Sequence, residues 1–106
     1  YSNAVEVDVV SPDNFTLEQN YPNPFNPTTS IRFSVKSDAF ITLAVYDQLG
    51  QQVAMLQSGI VNAGSYSSNF DASKLPSGIY FYRLTAADQH SGAVVFDKTQ
   101  KMLLMK

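Results

Sequence analysis

The sequence predicts an all-β chain folded as a two-sheet antiparallel sandwich of about seven short strands, the number usual for a sandwich of this length. Three observations carry that expectation. β-Branched and aromatic residues alternate with polar ones at period two; turn residues interrupt the alternation at intervals of roughly 8–15 residues; and no segment shows the apolar spacing of a long amphipathic helix. At 106 residues, 44% hydrophobic and 15% charged, the chain is one domain, apolar enough to bury a core without disulfide or metal staples.

Val5, Val7 and Val9 alternate with Glu6 and Asp8 until Ser11-Pro12-Asp13 stops the pattern, which reads as a linker of extended character. Ser2-Asn3-Ala4 resembles the remnant of a cleaved expression tag, so the expected division is tag remnant and linker over 1–13 and a folded domain over 14–106. Phe15–Gln19 is a short strand. It leads into Asn20-Tyr21-Pro22-Asn23-Pro24-Phe25-Asn26-Pro27, whose three prolines lack ladder donors and forbid a central strand.

Thr29–Lys36 alternates, with Ile31, Phe33 and Val35 on one face and Arg32 and Ser34 on the other. Phe40–Tyr46 is apolar on both faces, Ile41, Leu43 and Val45 against Phe40, Thr42, Ala44 and Tyr46, and is expected to be central and largely covered. Asp47-Gln48-Leu49-Gly50 fits a type I turn closed by a left-handed glycine, with Gln51–Leu56 returning. Gly59 and Ala63-Gly64 are expected as the next turns, and Ser65–Phe70 as a polar edge strand with Tyr66 and Phe70 facing inward. Leu75-Pro76-Ser77-Gly78 turns the chain into Ile79–Leu84, the strongest strand signal, where Tyr80, Tyr82 and Leu84 oppose Ile79, Phe81 and Arg83. Tyr80 is placed either for a tyrosine corner, its hydroxyl returning to upstream backbone, or as ordinary core. After a turn over Asp88–Gly92 the last strand, Ala93–Met105, is expected to be interrupted near Thr99-Gln100. Such strands, without helices to cover a parallel sheet, specify the immunoglobulin-like sandwich.

Chemistry is scarce. No cysteine is present, which excludes thiolate metal sites and cysteine nucleophiles, and a net charge of −2 with seven scattered basic residues offers no field for a nucleic-acid backbone. No apolar run spans a bilayer or forms a signal-peptide core. The single histidine, His90, falls in the Asp88–Gly92 turn, where solvation is the ordinary state, and Ser91 beside it cannot reach triad geometry. The carboxylates are dispersed without calcium-loop spacing, and Asp47 and Asp71 end strands where aspartate caps turn amides. No cofactor, metal or catalytic residue is assigned. The aromatics Phe33, Tyr46, Tyr80, Phe81 and Tyr82 sit where a core would use them; Tyr21 and Phe25, in the proline loop, are the exceptions, and Phe25 suits a plug for the open end of the sandwich.

The Asn20-to-Thr29 segment, with Tyr21, Pro22, Asn23, Pro24, Phe25, Asn26 and Pro27, resembles the opening of the type A C-terminal sorting domain of the bacterial type IX secretion system. Ile31-Arg32-Phe33, Val45-Tyr46-Asp47 with Gly50, Leu75 with Ser77 to Leu84 (including Gly78 and Tyr80), and Lys101-Met102-Leu103-Leu104-Met105-Lys106 are similar to its later blocks, over about residues 14–106. The same pattern is similar to the immunoglobulin-like domain of flagellar hook-capping proteins. The sorting-domain resemblance implies a non-catalytic tag behind a larger cargo, which passes through the periplasm to the cell surface or outside. The implied partners are an outer-membrane export machinery and a surface sortase-like protease that removes the domain, with a cut expected within Val5–Asn14.

Met102-Leu103-Leu104-Met105 is apolar on both faces, which fits either a terminal strand whose unpaired edge docks on the export machinery by strand addition or one buried on both sides. Three function classes stand: sorting and anchoring domain, carbohydrate-binding module, and passive structural spacer.

Overall fold

The computed structural model describes residues 14–106. The Val5–Val9 pattern and the linker therefore lie outside the described residues. Among the described residues seven strands follow one another without a helix: β1 Thr16–Leu17, β2 Thr28–Val35, β3 Ala39–Tyr46, β4 Gln52–Val61, β5 Gly64–Asp71, β6 Gly78–Asp88 and β7 Val94–Leu104. They form two antiparallel sheets, β1-β2-β5 and β4-β3-β6-β7. The expected all-β sandwich is what the chain adopts.

Its strand order differs from the immunoglobulin constant arrangement in one place. There the fourth strand lies with the first, second and fifth; here β4 stays beside β3. The turn between them explains this. Gly50, at φ 84°, takes the left-handed conformation, Gly50 N–H donates to the Asp47 carbonyl at 3.0 Å, and Asp47 Oδ1 accepts from the N–H groups of Leu49 and Gln51. So short a hairpin leaves β4 no choice of neighbour. The chain changes sheets only after Val61, through Asn62 and Ala63.

Between the sheets lies one core. Ile31, Phe33 and Val35 of β2 face Ile41, Leu43 and Val45 of β3, and Tyr80, Tyr82, Leu84 and Ala86 of β6. Period-two alternation produces this because successive side chains point to opposite faces, so each inward set lines the same space. Phe70 and Tyr66 face inward from the edge strand β5, Tyr66 stacking on Phe33 with ring centroids 5.6 Å apart.

Several expectations need correction. Gly59 is not a turn but an interior residue of β4, paired with Ile41, and β4 runs on to Val61. β7 is continuous through Thr99 and Gln100, which pair with Arg83 and Tyr82; the irregularity lies at Ala86/Ala87. Tyr46 and Phe81 pair with each other on the outer face of the four-stranded sheet and are half-buried, not core. That face is also less covered than expected, since no second layer packs on it among the described residues. Phe40, Ile60, Ala87 and Val94 form one register row across all four strands, and Phe40, Ile60 and Val94 in it are exposed.

Candidate functional site

The sandwich has two ends. At one lie the β2–β3 turn, the β4–β5 crossing and the β6–β7 hairpin; at the other lie the proline loop, the Asp47–Gly50 turn, the Leu75–Gly78 turn and the end of β7. The second end unites the two sequence segments marked out by the resemblance. Phe25 joins the end of β7 as a parallel bridge to Leu104: Phe25 N–H donates to the Leu103 carbonyl and Met105 N–H to the Phe25 carbonyl, each at 3.0 Å. Asn23 Oδ1 accepts from Leu103 N–H at 3.0 Å, and Gln19 Nε2 donates to the Lys101 carbonyl at 2.7 Å. The expected unpaired edge at this end of β7 is therefore occupied by the chain's own loop. Backbone groups left open there would invite another strand, and the loop satisfies them.

The loop side chains divide. Phe25 is buried, its ring 6.2 Å from that of Phe70, and plugs the end of the core as expected. Pro22, Asn23, Pro24 and Asn26 are exposed and Pro27 half-buried, its carbonyl accepting from Ala72 N–H. Tyr21 pairs with Ser30 and stands 82% exposed on the outer face of the other sheet, away from the end of β7. In the terminal segment Met102 and Leu104 belong to the core, Leu103 is half-buried, and Lys101, Met105 and Lys106 are exposed. The segment is thus buried on one face only. Gly78 opens β6 opposite Leu104, and Tyr80 donates its hydroxyl to the Pro76 carbonyl at 2.7 Å, making the tyrosine corner that secures the neighbouring turn.

A network missed by the sequence reading holds the loop from beneath. Tyr82, fully buried, donates its hydroxyl to the Glu18 carbonyl at 2.7 Å and accepts from Asn20 N–H at 2.8 Å. Asn20 Nδ2 donates to Thr29 Oγ1 and to the Pro22 carbonyl, and Thr29 Oγ1 donates to the same carbonyl. Gln19 Nε2 also donates to Asn20 Oδ1, and Gln100 Nε2 reaches the Leu17 carbonyl. Buried polar groups this fully bonded fix one backbone path, because any other leaves a donor or acceptor without a partner. One signal was present: Thr29 occupies an inward position of β2, in step with Ile31, Phe33 and Val35. Burial pushes the Tyr82 phenol up to about 12, partly offset by the hydrogen bond from Asn20 N–H. The Tyr80 phenol is raised by burial and by the nearby Asp47 carboxylate.

The residues weighed for chemistry serve their own turns. His90 is exposed in its hairpin, where Asp88 Oδ1 accepts from the N–H groups of His90 and Ser91 and is held below the usual carboxylate range mainly by those bonds. Asp71 likewise caps Ser73 N–H. Among the described residues no group of three or more acidic or histidine side chains could hold a metal ion, and no helix is long and apolar enough to cross a membrane.

Fold and site together define a small immunoglobulin-like β-sandwich whose proline-rich loop is strand-paired to the end of its last strand. The chain matches the family model described as secretion system C-terminal sorting domain over residues 19–96, and it belongs to that family: it is a C-terminal sorting signal of type IX secretion. Membership implies a larger cargo, a secretion machinery, and export to the cell surface or outside. The match stops short of Lys101–Lys106. Among solved structures the fold is similar to that of CopC from Methylosinus trichosporium OB3b, with a TM-score of 0.52 and 14% identity over 86% of this chain and 93% of that one, a likeness of fold alone. No curated protein sequence matches the chain.

Proposed function

We propose that this domain is a non-catalytic tag recognised in its folded state, and that the outer-membrane export machinery reads the composite end where the proline loop meets the end of β7. The observation that carries this reading is the pairing of Phe25 with Leu103 and Met105, which makes one surface of two segments about 80 residues apart in the chain. Asn23, Lys101, Met105 and Lys106 are exposed on or beside that surface, so a receptor can touch them without unfolding anything. A larger cargo precedes the domain and crosses the periplasm with it. A surface sortase-like protease then cuts within Val5–Asn14, the domain serving as substrate.

The test is a reporter fused ahead of the domain in a type IX-competent host. Deleting Met102–Lys106 removes two core side chains, so it conflates unfolding with lost recognition. Met105→Glu combined with Asn23→Ala alters only exposed side chains, and His90→Ala at the far end is the control. The paired variant should lose export while keeping its thermal midpoint within a few degrees, and the control should export normally. Export of the paired variant at the control's level refutes the reading. Mass spectrometry of surface-released cargo should show an end within Val5–Asn14; an uncut domain refutes the processing step.

A further inference from the structure

The outer face of the three-stranded sheet bears a cleft of about 260 Å³ lined by Glu18, Gln19, Tyr21, Ser30 and Arg32. A second, shallower one of about 410 Å³ continues from it over Ser34, Ser65 and Ser67, the two sharing Glu18 and Arg32. The register explains why these groups converge. Glu18 N–H donates to the Arg32 carbonyl, Arg32 pairs with Ser67, and Tyr21 pairs with Ser30, so the side chains rise from one face in adjacent rows. Exposed opposite charges so placed can pair, although such a pair is worth little in water. Glu18 and Arg32 do not: among the described residues the only ion pair is Arg83–Asp97 on the other sheet.

From this geometry we infer that the outer face of β1-β2-β5 is a carbohydrate site for an acidic sugar. An unclosed pair leaves a carboxylate that accepts hydroxyl protons and a guanidinium fork that takes a carboxylate in two parallel hydrogen bonds. Beside them, opposite Ser30 and lining the same cleft, stands Tyr21, 82% exposed, a flat amphipathic ring on which the C–H face of a pyranose can lie. Ser30 Oγ, already donating to Asn69 Oδ1, keeps lone pairs for a further sugar hydroxyl. The first cleft is smaller than the pockets of about 300 Å³ and more that enclose drug-sized ligands, and its open continuation suits a short oligosaccharide lying across the sheet. The site does not depend on the export reading, because Tyr21 and Arg32 lie off the composite end.

Titrating the isotopically labelled 106-residue chain with glucuronate, and in parallel with glucose, acetate and glycine, tests the assignment by amide chemical shifts. Glucuronate should shift Tyr21, Ser30 and Arg32 saturably, with a dissociation constant on the order of millimolar. Glucose should bind the same residues more weakly, and acetate and glycine should leave them unsaturated. Tyr21→Ala and Arg32→Gln should each weaken glucuronate binding by about tenfold, one decade of affinity, with core resonances unchanged because both side chains are exposed. Three results would overturn the proposal: no saturable shift, acetate or glycine binding as well as glucuronate, or undiminished binding in Tyr21→Ala. Equal binding of glucose and glucuronate would remove the acidic sugar from it.

Discussion

The two ends of the sandwich are built on opposite principles. The hairpin end is held mostly by local bonds: Asp88 caps its own turn and Tyr66 donates its hydroxyl to the Asn62 carbonyl four positions back, while the longest link there, from Ala63 N–H to Asp38 Oδ1, spans 25 positions. At the other end the Asp47–Gly50 turn and the tyrosine corner are also local, but the proline loop itself is held by residues distant in sequence, with Tyr82 and Asn20 62 positions apart and Asn23 and Leu103 80 apart. A locally capped turn forms and frays by itself. A loop fixed by the last strand is shaped only when the whole domain has folded. A receptor that reads the second end therefore reads completion of folding along with sequence.

The largest test of that contrast is Phe25→Ala. It empties a fully enclosed site, and a cost of about 3–5 kcal/mol is expected, measured by denaturant unfolding. A cost below ~1 kcal/mol would mean that the ring does not anchor the end.

Tyr82→Phe comes next. It strips a partner from the Glu18 carbonyl and from Asn20 N–H, a loss of about 1–3 kcal/mol at neutral pH. It also carries a signature in alkali. The Tyr82 phenol ionises at about 12 in the fold against 10.0 unfolded, so its contribution is complete below pH 10 and is lost as pH rises towards 12. Between those values one such tyrosine steepens the fall of stability by up to about 1.4 kcal/mol per pH unit, and that part of the slope should vanish in Tyr82→Phe.

Asn23→Ala should be smaller, under about 1 kcal/mol, because its bond to Leu103 N–H is exposed. Hydrogen exchange shows it best, as a faster Leu103 amide. His90→Ala, at the locally capped end, should move stability by no more than about 0.5 kcal/mol. If His90→Ala matched Asn23→Ala in both readouts, the contrast between the ends would dissolve.

How much of this was legible beforehand depended on the range of the interaction. The inward faces of β2, β3 and β6, the Asp47–Gly50 hairpin and the tyrosine corner at Tyr80 follow from spacings of a few residues, and each stands in the structure. Gly59 misled because glycine usually punctuates strands, whereas here pairing with Ile41 carries β4 through it. Tyr46 and Phe81 misled because alternation says which residues share a face but not which face has a second layer over it. The terminal segment of β7 reads from sequence as either an unpaired edge or a strand buried on both faces, because its partner, Phe25, sits in a segment whose prolines exclude an ordinary strand. Asn20, Thr29 and Tyr82 could be joined only by a topology that brings β6 beneath the proline loop.

The Phe25–Leu104 bridge is parallel, and this has a mechanical meaning. Asn14 lies by Ser34 towards the hairpin end, while Lys106 lies by Ser77 at the other. A pull that draws these two residues apart runs along the paired strands, so the Phe25–Leu103 and Met105–Phe25 hydrogen bonds are loaded in shear and share the force rather than parting one after another as in a zipper. Tension transmitted through the polypeptide from the Asn14 side, once past the short β1–β2 pairing, would thus be borne in shear at the end farthest from where it is applied.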